Sequence, residues 1–318
     1  MRTRRPHLLA LAAFALLVAP LAACSDDDDG RSDGDGRPAD AEVAGTAGAA
    51  FPVTVAGVTV AARPERIVSL SPTATEVLYA IGAGTRIVGL STNSTFPEAA
   101  PDGDLDAFEP DLAVIASKSP DLIVTSQPGK GLESLGVPVI VHEPARSLDE
   151  AYAQITELGR ATDLPDAAAA TIQAMKDAIA GVVSTAAAVR ATPAITYYYE
   201  VDPAYSTSTS KTFIGDLLGR LGLQNIADTA PGAESGHPQL SSEFVVAASP
   251  ELVVLADVKC CWQSTSSATA RSGWEGVRAV GSGAIVGVDD DVASTWGPRA
   301  VGLLAPVADA AAKAAASR

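Results

Sequence analysis

Basic residues, histidine and aromatic rings are all scarce in this chain. Among 318 residues there are 22 Lys and Arg against 38 Asp and Glu, for a formal net charge of −16. A nucleic-acid-binding face needs clustered cations to neutralise phosphates, so this balance excludes that class of partner. Three histidines are too few for a multi-histidine metal site. Aromatics make up only 5% of a chain that is 47% hydrophobic, so Ala and Val carry much of the apolar content. What is present is length, enough for one large or two medium domains with a sizeable core.

The first residues form a targeting segment. Arg2, Arg4 and Arg5 precede an apolar run from Leu8 to Val18, followed by Pro20-Leu21-Ala22-Ala23-Cys24. A charged start, a short apolar stretch and small residues make a secretory signal over residues 1–23, too short for an ordinary membrane span. Leu21-Ala22-Ala23-Cys24 resembles a bacterial lipobox, in which Cys24 is diacylated and becomes the mature N-terminus. Two acyl chains give stable anchoring where one is marginal. From Ser25 to Ala47 there are eight acidic and two basic residues with repeated Gly. Residues 24–50 therefore read as a flexible lipidated tether. The removed segment carries only positive charge, so processing leaves the body more acidic still.

Beyond the tether, a hairpin is expected over Phe51–Val60, turning at Ala56-Gly57. Strands are expected at Arg66–Leu70, Ile87–Leu90, Leu122–Thr125, Val139–Val141, Ile195–Tyr199, Leu252–Ala256 and Ile285–Val288. They are rich in β-branched residues and lack period-two alternation, as parallel strands covered on both faces do. Helical patterns lie between them, including Ala74–Ile81, Ser147–Arg160 and Phe213–Leu221. This alternation predicts an α/β fold with parallel sheets. One long helical stretch over residues 165–191, opened by Pro165, separates a first lobe (51–164) from a second (192–318). Ile172, Met175, Ile179 and Val182 recur along it at helical steps. About 25 residues at 1.5 Å each would span about 37 Å. A packing helix within one domain and a strut between two Rossmann-like lobes both fit.

The second block repeats the logic of the first. Ser119-Pro120-Asp121-Leu122-Ile123-Val124 parallels Ser249-Pro250-Glu251-Leu252-Val253-Val254, each a helix end, a Ser-Pro-acid turn and a strand. With Arg66–Glu76, Thr212-Phe213-Ile214-Gly215, Pro238–Glu243 and Trp296-Gly297-Pro298-Arg299 in that order, Pro64 to Ala310 resembles the substrate-binding lipoproteins of ABC importers. These serve iron chelates (siderophores), haem and cobalamin. The resemblance implies two α/β lobes joined by a single long backbone helix. It implies no catalysis and no intrinsic cofactor. The expected partners are a permease with its ATPase, the membrane through Cys24, and a small metal complex. A lipid-anchored monomer on the outer face of the cell membrane is expected.

Ligands of α/β sheets sit beyond the carboxyl ends of the strands. The resemblance places Ser71, Pro72 and Thr73 in the cleft, although a capping box of Ser71 or Thr73 with Glu76 also accounts for that turn. By aligned position it adds Asn93, Ser126, Tyr205, His237 and Asp291, and the last cleft loop ends at Trp296. A cobalamin binder carries aromatics at some of these places, where this chain has Asn93, Ser126 and His237. His142 and His237, one per lobe, are candidate axial ligands for iron or haem. Cys260, Cys261 and Trp262 follow a second-lobe strand, and Trp262 offers a flat face to a macrocycle. Adjacent Cα atoms lie about 3.8 Å apart, below the usual disulfide span, so free thiols, a strained ring and an intermolecular bridge all stay open. Glu243 matches a second-lobe docking carboxylate, while the first-lobe position falls on Ala113, with Glu109 and Asp111 nearby. The alternative readings are an exported α/β hydrolase, whose nearest elbow-like string Gly89–Asn93 lacks its second Gly, and a free divalent-metal receptor, which wants more histidine than this chain has.

Overall fold

A computed structural model describes residues 51–186, 189 and 193–318. The signal segment, Cys24 and the tether lie outside the described residues. The body opens with the expected hairpin, β1 (Val53–Val55) antiparallel to β2 (Val58–Val60). Ala56 and Gly57 both take positive φ, which a two-residue hairpin turn requires.

Two four-stranded parallel sheets follow. The first holds β3 (Ile67–Leu70), β4 (Ile87–Leu90), β5 (Leu122–Thr125) and β6 (Val139–Val141), in the order β4-β3-β5-β6. The second holds β7 (Thr196–Glu200), β8 (Gln224–Asn225), β9 (Leu252–Leu255) and β10 (Ile285–Gly287), in the order β8-β7-β9-β10. The two orders are the same when read by position in the lobe. All residues of β3, β5 and β9 are buried, as expected where helices cover both faces of a sheet. β8 went unread in the sequence because its two residues are polar and carry no pattern.

The Ser-Pro-acid turns occupy matching places. Helix α2 (Leu112–Ser117) leads into Ser119 at φ 47°, and α6 (Ser242–Ala248) leads into Ser249 at φ 43°. Each turn's acid then accepts from backbone N–H groups of a neighbouring strand's approach. Asp121 accepts from Glu65 and Arg66 at 2.8 Å each, and Glu251 accepts from Thr196 at 3.1 Å.

Between the sheets run α3 (Leu148–Ala161) and α4 (Pro165–Thr185). Ser147 caps α3 by accepting from the Glu150 N–H, and Leu148, Ala151, Ile155 and Leu158 make its buried stripe. Pro165 sits in the first turn of α4, which buries Ala168, Met175 and Ile179. The helix expected over residues 165–191 ends earlier, at Thr185, so its 21 residues span about 32 Å. Its last turn, Gly181-Val182-Val183-Ser184-Thr185, is built of weak helix formers. The apolar core around the second sheet runs on into α3 through Leu148 and Ala151, which pack with Phe213, Leu217 and Leu218 of α5 (Phe213–Gly219). Packed apolar surface thus continues from the second sheet into α3.

Candidate functional site

The chain segments that follow β3, β4, β5 and β10 meet at one opening. There, a cleft of about 420 Å³ is lined from the first lobe by Pro72, Asn93, Phe96, Phe108, Ser126 and Gln127. The second lobe contributes Asp291, Ser294, Thr295 and Arg299. Ser71 caps α1 (Pro72–Ala80) by accepting from the Ala74 N–H at 3.3 Å, which sets Pro72 at the edge of the opening. A chain of buried hydroxyls holds the neighbouring loop: Thr75 bonds Ser69 at 2.9 Å and Ser94 at 3.0 Å, and Ser94 bonds Ser91 at 2.8 Å. That chain leaves Asn93 and Phe96 projecting outward, both exposed. Asp291 belongs to the short helix α9 (Asp290–Ala293), and its carboxylate pairs with the Lys259 ammonium at 2.8 Å.

The floor of the cleft is an ion pair between the lobes. Glu76, buried on α1, accepts from the Arg299 backbone N–H at 2.6 Å and from its Nε at 2.9 Å. The same guanidinium stacks on the Phe96 ring, 4.0 Å from its centroid. Glu76 thus does not complete the capping box expected from its spacing, because its carboxylate is taken by Arg299. Beside this pair, the Trp296 indole N–H donates to Gln154 at 2.6 Å, and its backbone N–H reaches the Thr73 hydroxyl at 3.4 Å.

Of the residues expected at the ligand, Pro72, Asn93, Ser126 and Asp291 come together on the cleft wall. Ser71, Thr73 and Trp296 lie behind it, around a void of about 10 Å³ in the seam between the lobes. Tyr205 is turned away and lies under the Arg271 guanidinium, 5.6 Å from its ring centre. His237 is exposed beside Ser208, with its Nδ1 3.3 Å from that hydroxyl.

The two candidate axial histidines lie apart from the cleft lining. His142 is buried, its Nε2 is 2.8 Å from Glu157, and neither histidine lines the cleft. Burial pushes the His142 pKa down, and Glu157 opposes the shift. Among the described residues, no group of three or more His, Cys, Asp or Glu side chains is arranged to hold a metal ion.

Cys260 and Cys261 are joined to each other, at a Cα separation of 3.8 Å. Their loop follows β9, and Trp262 at its tip is 85% exposed. Glu243 stands exposed in the first turn of α6. Asp111 is the exposed N-cap of α2, accepting from Ala113 and Val114. Among the lining residues that the sequence analysis did not single out are Phe96, Phe108 and Arg299. Arg299 stood there only as the end of the Trp296–Arg299 run, and Phe108 was legible as an isolated aromatic in the polar run Asp106–Asp111.

With this geometry in view, comparison with known proteins decides the family. A model of the periplasmic binding protein family matches residues 67–292. The chain belongs to that family. The ABC transporter substrate-binding lipoprotein YvrC of Bacillus subtilis is 28% identical over 271 residues, covering 79% of this chain and 82% of YvrC. A cobalamin-binding protein of Halobacterium salinarum is 28% identical over 277 residues, covering 82% of this chain and 74% of its own. A solved structure from Staphylococcus epidermidis, described as a possible iron-binding periplasmic solute-binding protein, superposes with a TM-score of 0.67. It is 26% identical and is matched over 78% of this chain and 99% of its own. The resemblance drawn from sequence is thus correct for the family and for the α/β fold class, and these relatives are binding proteins rather than hydrolases.

Proposed function

We propose that this protein captures a metal chelate or corrinoid in the inter-lobe cleft and delivers it to an ABC permease driven by its ATPase. The observation that carries this reading is the cleft itself, beyond the carboxyl ends of β3, β4, β5 and β10 and walled by Pro72, Asn93 and Ser126 on one side and Asp291 and Arg299 on the other. The names of the relatives support the ligand class. The wall combines hydroxyl and amide groups with two exposed phenyl rings, which suits a large ligand with both polar and apolar surface. Lipid on Cys24 keeps the protein at the outer face of the membrane, and Glu243 with Asp111 meets cationic groups of the permease.

Calorimetric titration of the mature body with cyanocobalamin, haemin and a ferric hydroxamate chelate tests this. Binding to one of them at micromolar or tighter affinity, lost in Arg299→Ala, is expected. Failure to bind any, with tight binding of an unrelated solute, defeats the ligand class.

A further inference from the structure

The loop after β9 is built with more care than a surface connection needs. Asp290, at the start of α9, accepts from three successive backbone N–H groups of this loop: Val258 at 2.9 Å, Lys259 at 2.9 Å and Cys260 at 2.8 Å. The Lys259 ammonium then binds Asp289 at 2.7 Å and Asp291 at 2.8 Å, and Asp291 is part of the cleft wall. At the loop's far end, the N–H groups of Cys261 and Gln263 both donate to the Asp257 carbonyl at 3.3 Å. The Gln263 side chain is held in turn by Arg271 and Ser267.

Inside this frame the Cys260–Cys261 ring leads straight into Trp262, which is held at φ 57°. A bulky residue in the left-handed region is strained, and such a conformation persists only where the surroundings impose it. The loop spends that strain on exposure: Trp262 is the most exposed large apolar side chain among the described residues. Two other exposed aromatics, Phe96 and Phe108, line the cleft from the first lobe. Only two residues separate Trp262 from Lys259, so its backbone lies within about 11 Å of a residue bonded to the cleft wall. At about 420 Å³, the cleft is at the small end of ligand sites, roughly 300–1,000 Å³. A macrocycle-sized ligand therefore stands out beyond its rim.

We propose that the Cys260–Cys261 ring and Trp262 form a redox-sensitive apolar lip that packs on the part of the ligand standing out of the cleft. This rests on the solute-binding reading above and adds the residues that grip the ligand's apolar face. Cys260 is exposed, so a small dithiol reaches the bond. Reduction transfers two electrons and two protons from the dithiol, which closes to its own disulfide. It leaves two thiols on the protein. Without the ring, Trp262 relaxes out of the left-handed region and the lip is lost.

The test uses the mature body and whichever of haemin, cyanocobalamin or ferric hydroxamate chelate the wild type binds. Trp262→Ala, the double variant Cys260→Ala/Cys261→Ala, and wild type pre-treated with dithiothreitol should each raise Kd about tenfold or more. Their melting should stay near that of the oxidised wild type, since the ring lies outside the cores. Hydroxyl-radical footprinting read by mass spectrometry should show Trp262 protected when the ligand is bound. Unchanged Kd in all three, with Trp262 equally oxidised with and without ligand, overturns the lip and leaves the binding reading intact. In that case a loss of uptake in the Trp262 variant would assign the loop to the permease instead. A wild type that binds none of the probes overturns both.

Discussion

Asp257 is the residue whose environment is furthest from ordinary. It is fully buried at the end of β9, and neither of its carboxylate oxygens has a hydrogen-bond partner. Next to it the Glu200 carboxylate is clamped by both terminal nitrogens of Arg271, at 2.5 and 2.6 Å. Burial first, then the negative charge of Glu200, pushes the Asp257 pKa up to about 7, with Arg271 opposing. The folded state thus holds a proton that the unfolded chain gives up near pH 4. The stabilisation linked to that proton is complete below pH 4 and is lost as pH rises through 7. Asp257→Asn removes the charge and should raise stability at pH 8 by about 1–3 kcal/mol while changing little at pH 5. Urea unfolding of both proteins from pH 5 to 8.5 checks this, and parallel pH profiles would refute it. Nothing in the sequence marked Asp257, since a buried acid is made by what folds over it. The caps Asp111 and Ser147, by contrast, act on backbone N–H groups two or three residues away, a role that local sequence can carry.

At the scale of elements, the seam between α1 and the segment ahead of the last helix, α10 (Leu304–Ala316), fixes how the lobes meet. Glu76 and Arg299 are 223 residues apart in sequence, and their pairing is served by Gly297. A methyl group at Gly297 would lie 2.9 Å from Glu76 Cδ and Oε1, so only glycine lets the chain pass that close. Breaking a buried pair strands a charge, so Glu76→Ala should destabilise by about 3–5 kcal/mol. Gly297→Ala should cost less, about 1–3 kcal/mol by overpacking, yet still weaken ligand binding because Arg299 shifts on the cleft floor. Thermal melts and ligand titrations of the two variants measure both effects. A Gly297→Ala protein with wild-type melting and affinity would show that the seam tolerates the displacement. Strands such as β5 and β6 were legible to the residue, because β-branched runs bounded by Pro and Gly report their own limits. The seam was not, because a contact between two ends of the chain leaves no periodicity in either. Its parts were visible only as a spacing, Thr73 to Glu76, that pointed to a different partner.

For the whole molecule, the repeat of one lobe design in the other bears on how the protein docks. With Ser119 matched to Ser249, the caps Asp111 and Ser241 fall at the same position, and Ala113 falls opposite Glu243. Glu243 is fully exposed, and hydrogen bonds from its own backbone N–H and from Ser241 hold its pKa below the ordinary glutamate value. It is therefore ionised throughout the physiological range. The first lobe offers no carboxylate at that position. Its nearest charge, on Asp111, also serves as a helix cap. On the docking proposed above, a permease that offers the same cationic group to each lobe would meet an asymmetric pair of acids, and most of the electrostatic steering would pass through the second lobe. Glu243→Gln should slow association with the permease in reconstituted vesicles about tenfold at low salt and flatten its salt dependence. Asp111→Asn keeps a side chain that caps well, so folding is spared and any loss reports charge alone. That loss should be smaller than for Glu243→Gln. Ala113→Glu supplies the missing acid and should speed association beyond wild type. Equal effects of Glu243→Gln and Asp111→Asn, with none from Ala113→Glu, would mean that the two lobes dock through acids at unlike positions, and that the likeness of their folds does not extend to this surface.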